Sequence, residues 1–252
     1  MNAYQIAKTR FGNIRHTAIG PKDGDVILFV TGGGASFHSV HAFAWLARAG
    51  FRVIAINRPG YFDLPVDVVD SIEGHADIYR AVLQQIGIEG AVHVFGVSMG
   101  GLSALYYAQK YPTRSLVLWS AVTGPYVVQQ EAATSGLGKL VLSKSGKKLV
   151  SWLLHLSAKY FPQQTIRTFL KTEAILTPAE SKAIGRQVVE NPASKREFRI
   201  FIESMLPMDA LYTGMMDEVE KATRLSEPDW SDIMRPIYAV HSTLDQDFTI
   251  DH

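Results

Sequence analysis

Val92-His93-Val94-Phe95-Gly96-Val97-Ser98-Met99-Gly100-Gly101 decides the fold. It opens as an apolar, β-branched run, which reads as a strand. It passes into Leu102-Ser103-Ala104-Leu105-Tyr106-Tyr107-Ala108, which reads as a helix. Between the two lies Gly-x-Ser-x-Gly. A turn this tight leaves no room for side chains at its flanks, so glycine stands at 96 and 100. The serine is forced into a strained conformation that lifts its hydroxyl clear of the sheet. The Met99 N–H then sits at a helix N-terminus, where it can donate to a developing oxyanion.

Upstream, Val26-Ile27-Leu28-Phe29-Val30 is a continuous apolar run, as in a parallel strand covered on both faces. It ends in Thr31-Gly32-Gly33-Gly34-Ala35-Ser36, whose glycines let backbone N–H groups turn into a cleft. Ser39–Ala49 reads as a helix with Val40, Phe43 and Leu46 on one face. His38, at its start, is a candidate for lining the substrate cleft, against the plainer reading of a solvated or capping residue. Phe51–Ile56 is the next buried strand. It runs into Asn57-Arg58-Pro59-Gly60-Tyr61, read as a structural turn bordering the cleft. Arg58 is expected in a surface salt bridge, with a clamp on a substrate anion as the alternative. Ser71–Gly87 is a helix closed by its glycine, Ser115–Ser120 another central strand, and Tyr4–Ile19 an edge hairpin. This alternation predicts an α/β fold with a doubly wound, mostly parallel sheet. Ligands bind such sheets at the carboxyl ends of the strands, where Gly33, Ser98 and Asp245 all fall.

The 252 residues are 47% hydrophobic and 19% charged, enough for one domain with a sizeable core or a core plus an insertion. A net charge of +1 implies no general attraction to nucleic acid. Absence of cysteine removes disulfides, thiolate metal sites and a cysteine nucleophile. No signal peptide is read at the N-terminus, and no apolar run approaches the roughly 18 residues needed to span a bilayer. A soluble cytoplasmic protein is the default expectation.

The strand, Gly-x-Ser-x-Gly and helix, together with the glycine loop after Val30, resemble the α/β-hydrolase superfamily. That resemblance implies a serine hydrolase with Ser98 as nucleophile, acting on an ester or similar acyl bond. It implies a second oxyanion donor from the glycine loop: Gly33 aligns with the usual position, and a shift to Gly34 stays open. Thr31 stands where the family often has histidine. Asn57 and Phe62 depart from the family's Asp-x-x-Gly-x-Gly. Pro236-Ile237-Tyr238-Ala239-Val240-His241-Ser242-Thr243-Leu244-Asp245 resembles the segment that carries the family's acid. It puts Asp245 in the place of the carboxylate that orients the catalytic histidine, with Asp247 as the near alternative. No metal or organic cofactor is implied. Dehalogenases and epoxide hydrolases of this fold are disfavoured, because they use aspartate where this chain has Ser98.

From 124 to 228 the alternation stops and helical patterns dominate. By position this is the family's cap, inserted into a core of 1–123 and 229–252. Thr177-Pro178-Ala179-Glu180 and Ser194-Lys195-Arg196-Glu197 both read as capping boxes. Between Glu131 and Glu173 there is no acidic residue, while Lys139, Lys144, Lys147, Lys148, Lys159, Arg167 and Lys171 are basic. Leu149, Trp152, Leu153, Leu156 and Tyr160 form an apolar stripe within that run. The plainer expectation is a helix packing its stripe on the core. The alternative is contact with an anionic membrane. Met205, Met208, Met215 and Met216 suit a pliable apolar pocket wall, with core filling as the plainer reading. A small-molecule acyl substrate of apolar character is the expected partner.

A Ser–His–Asp site needs a histidine to carry the serine proton. In the family it follows one more helix and one more strand, and such a crossover takes about a dozen or more residues. Seven residues follow Asp245. The sequence therefore predicts an α/β-hydrolase fold lacking its last helix, strand and histidine, with weak or no activity. His252, as a terminal residue, is a poor substitute. His93 sits at the wrong end of the sheet, and His241 is needed as strand. Loss of the last strand predicts an exposed edge at Ile237–Val240 and a dimer through it. The rival functional reading is a non-catalytic binding protein on the same fold.

Overall fold

The structure, a computed structural model, describes residues 4–126 and 144–246. Lys139, Asp247 and His252 lie outside the described residues. Among those described, seven strands form one sheet in the order β1 (Gln5–Thr9), β2 (Gly12–Ile19), β4 (Arg52–Ile56), β3 (Val26–Val30), β5 (Val92–Val97), β6 (Thr113–Trp119) and β7 (Ile237–Val240). β2 runs antiparallel to β1 and β4, and β4 through β7 are parallel. This is the doubly wound, mostly parallel sheet the sequence predicts. In register, Val30 pairs with Gly96, Gly96 with Leu118, and Leu118 with Ala239. The segments after β3, β5, β6 and β7 therefore leave the sheet along one edge.

The continuous apolar strands are explained by cover on both faces. Leu28 and Val30 pack with Val82 and Leu83 of α2 (Ile72–Gln85) and Leu105 of α3 (Gly100–Lys110). Ile27 and Phe29 turn the other way, onto Phe37, Val40 and Leu46. Those three belong to a 3-10 stretch, Phe37–Phe43, and the short α1 (Ala44–Arg48), where one continuous helix was expected. α2 begins where the sequence places it, with the Ser71 hydroxyl accepting from the Gly74 N–H at 3.2 Å.

Five described helices lie between β6 and β7: α4 (Lys144–Tyr160), α5 (Pro162–Glu173), α6 (Pro178–Glu190), α7 (Pro192–Ser204) and α8 (Tyr212–Thr223). The Thr177–Glu180 capping box opens α6 as expected. The one expected at Ser194 does not form. Asn191 caps α7 instead, its side chain accepting from Ala193 and Ser194, and Pro192 fits the first turn, so Ser194 is already helical.

On α4 the apolar stripe faces away from the core. Trp152 is 58% and Tyr160 61% exposed, and Leu149 and Leu153 are also exposed. The buried positions of α4 are small residues, Gly146, Ser151 and Ala158, while Val150 and Leu154 are half-buried. Ser151 accepts from the Met208 N–H at 3.0 Å. The periodicity was right, but the smaller face gives the closer approach. No described helix is long and apolar enough to cross a membrane.

After α8 the chain returns to the core through Trp230, whose indole donates to the Thr123 carbonyl at 2.7 Å and meets the Tyr106 ring edge-on. β7 is exposed along its whole length, Tyr238 by 59%.

Candidate active site

The turn after β5 is the site's centre, and sterics explain its sequence. Ser98 has a φ of 49°, in the left-handed region that non-glycine residues rarely adopt. Its carbonyl is held by the N–H groups of Gly101 and Val122 at 2.9 and 3.0 Å, and its own N–H by the Trp119 carbonyl at 3.1 Å. These bonds hold the strain in place. A methyl group on Gly100 would lie 2.4 Å from the Thr31 carbonyl oxygen, and one on Gly96 2.7 Å from the Ala104 side chain. Both glycines are therefore required for α3 to press against β3 and β5.

That close approach brings the Thr31–Ser36 loop against the serine. A methyl on Gly32 would touch the Ser98 Cβ at 3.2 Å, and one on Gly33 the Met99 Cβ at 3.4 Å. Ser98 is half-buried in the wall of a cavity of about 480 Å3 that includes Gly32, Gly33, Trp119 and Ser120. Phe169 and Leu170 of α5, with Phe198 and Phe201 of α7, roof it. Among the described residues, no group takes the N–H of Gly33 or Met99, as an oxyanion hole requires. Gly34 differs. Its N–H already donates to the Tyr61 hydroxyl at 3.0 Å.

The loop is held from behind by a polar cluster that sequence reasoning missed. Arg58 is 2% exposed and donates to the carbonyls of Thr31, Gly32 and Ala35 at 3.0, 2.8 and 2.9 Å. It pairs with Glu218 of α8 at 2.8 Å, and Glu218 also accepts from the Tyr61 hydroxyl at 2.8 Å. Arg58 is thus neither the surface salt bridge nor the substrate clamp the sequence suggested. Its partner is 160 residues away along the chain, beyond the reach of local pattern. α8 gets this close because Gly60 and Gly214 meet: a methyl on Gly60 would lie 2.5 Å from the Gly214 Cα. Burial drives the Glu218 carboxyl above its ordinary range, against the pull of Arg58. Burial also drives the Tyr61 phenol well above its own. His75, fully buried with Ser103 at 3.4 Å and Glu218 at 3.9 Å, is lowered to about 3 by burial and then by Arg58.

The other predicted residues are placed as follows. His38 does not line the Ser98 cavity; its ring packs on Phe37 and beside His41, and burial lowers it to about 4. Its neighbour Ser39 lines the cavity instead. His93 bonds Ser115 at the opposite end of β5. Asp245 forms an isolated antiparallel bridge with Ala174 at the end of α5. Its carboxylate lies 3.6 Å from His241 Nε2, and the adjacent Gln246 N–H donates to the carbonyl of Glu173, a residue of the cavity wall. His241 stands just past the strand, where the sequence reading had kept it within. Among the described residues, no histidine lines the Ser98 cavity.

Residues 25–196 match the sequence model of the alpha/beta hydrolase fold family, and the chain belongs to that family. It is 23% identical to the uncharacterized hydrolase YcgS of Bacillus subtilis over 93% of this chain and 78% of that one. It is 38% identical to the bifunctional esterase/perhydrolase DCH of Acinetobacter calcoaceticus over 48% of this chain and 45% of that one. The solved α/β hydrolase fold protein from Nakamurella multipartita superposes with a TM-score of 0.84 at 23% identity, covering 99% of this chain and 84% of the other. These relatives are named as hydrolases or as members of the hydrolase fold, which supports a hydrolytic function.

Proposed function

We propose that the chain is built for hydrolysis of an ester or similar acyl bond through an acyl-enzyme at Ser98. The observation that carries this reading is the Ser98 hydroxyl on a backbone at φ 49°, facing a cavity beside the unengaged N–H groups of Gly33 and Met99. The hydroxyl oxygen attacks the acyl carbon, and the carbonyl oxygen takes up negative charge between the two N–H donors. Collapse expels the alcohol and leaves the acyl group on Ser98. Water then attacks the same carbon and releases the acid. In this reading a histidine oriented by Asp245 accepts the serine proton and returns it to the leaving group.

That no described residue of the cavity wall is a histidine favours one second reading, a binding protein that keeps the fold without the chemistry. An alkyl fluorophosphonate separates them. Covalent labelling that disappears in Ser98→Ala supports an activated nucleophile. An unlabelled Ser98 in a protein that still binds a non-hydrolysable ester analogue supports the binding protein.

A further inference from the structure

A second cavity, of about 430 Å3, lies beyond the Ser98 cavity and shares Phe169 and Met205 with it. Gly34, next to the proposed oxyanion donor, closes its near end. Its far wall comes from the helical insertion: Leu154 of α4, Met208, Leu211, and Met215 of α8. No charged side chain lines it. Four hydroxyl side chains do, Ser157, Thr168, Thr172 and the phenol of Tyr212, and the first three are already engaged within the protein. Ser157 bonds Thr165 at 2.5 Å, Thr168 donates to the Gln164 carbonyl at 3.0 Å, and Thr172 to the Phe169 carbonyl at 2.8 Å. Lys147 lies over the Tyr212 ring but is not part of the wall. Apart from the Tyr212 phenol, a ligand group here meets carbon and sulfur, and a charge carried in would lose its hydration without an ionic partner. Methionine at 205, 208 and 215 lets the wall adapt to chains of different shape.

We infer that this cavity binds an uncharged hydrocarbon chain of the substrate, reaching past Phe169 and Met205 while its carbonyl sits at Ser98. The inference rests on the acyl-hydrolase reading for the reaction, but not for the binding. The binding test therefore uses Ser98→Ala, with straight-chain primary alcohols from butanol to decanol as probes and calorimetry as the readout. Affinity should rise about fourfold for each added methylene until the cavity is filled. Thr168→Trp, at an exposed position of the wall, and Met208→Trp, deeper in, should each flatten that series. 8-Hydroxyoctanoate should bind at least about tenfold more weakly than 1-octanol. Affinity independent of chain length overturns the inference. So does a series unchanged in both tryptophan variants, or a carboxylate accepted as well as a methyl end. Fluorophosphonate labelling of the unsubstituted protein is run in parallel. Failure to label there, with the alcohol series intact, would refute the acyl-enzyme and leave the chain site standing.

Discussion

The two flanks of Ser98 are built to different standards. On the β3 side, the Thr31–Ser36 loop is clamped by an arginine with three carbonyl contacts, a tyrosine on Gly34 and a carboxylate from α8, all buried. On the β7 side, Asp245 sits after a strand exposed along its whole length, its segment joined to the end of α5 by backbone contacts and its carboxylate 3.6 Å from His241. The difference fits what the proposed reaction asks of each flank. Oxyanion donors stabilise charge only if they are aimed before it forms, so their loop has to be rigid. A proton-transfer partner can tighten its geometry when substrate arrives.

Substitutions can break or sharpen this contrast. Arg58→Ala should cost about 3–5 kcal/mol, because it leaves Glu218 buried and unpaired. Denaturant unfolding measures this, and the double variant Arg58→Met/Glu218→Leu should recover much of it. Tyr61→Phe removes the hydroxyl that holds Gly34 and should cost about 1–3 kcal/mol. It should also slow fluorophosphonate labelling of Ser98 about tenfold through the loosened loop. Equal labelling with lowered stability would make the cluster structural only.

His75 makes the clamped flank sensitive to pH. Its folded value of about 3 is below the ordinary 6.5, so the unfolded chain binds more protons between those two values. Its contribution is complete above about pH 6.5 and falls by about 1.4 kcal/mol per pH unit as the medium is acidified toward pH 3. Glu218, raised by burial, opposes this above its ordinary 4.5, where the folded state holds the extra proton. Unfolding measured from pH 7 to 4 should therefore show a shallower acid loss in His75→Gln. The smallest effect belongs to the other flank. Tyr238→Lys on β7 should change stability by no more than about 0.5 kcal/mol. Light scattering should show it reducing any self-association through that edge, since a charge there discourages strand pairing.

What the sequence made legible was local. The strained serine, the strand at Val26–Val30, the start of α2 and the Thr177 capping box are each written within a few residues. What stayed hidden depends on partners distant in the chain. Nothing near Arg58 announces Glu218. The stripe on α4 has a clear period, but a period does not say which face meets the protein, and here the small side chains do. His38 shows the same limit, since a histidine one position from the cleft-lining Ser39 points elsewhere. The engagement of the Gly34 N–H needed the Tyr61 hydroxyl, 27 residues on.

The meeting of Gly60 with Gly214 bears on how this protein could be re-engineered. A helical insertion is often treated as an exchangeable module, swapped to change what an enzyme accepts. Here its last helix donates the carboxylate that pairs with Arg58, the side chain holding the Thr31–Ser36 loop. A graft replacing α4 through α7 and rejoining ahead of Tyr212 would keep that anchor, whereas one that discards α8 would strand Arg58 in the interior and dismantle the scaffold it was meant to redecorate.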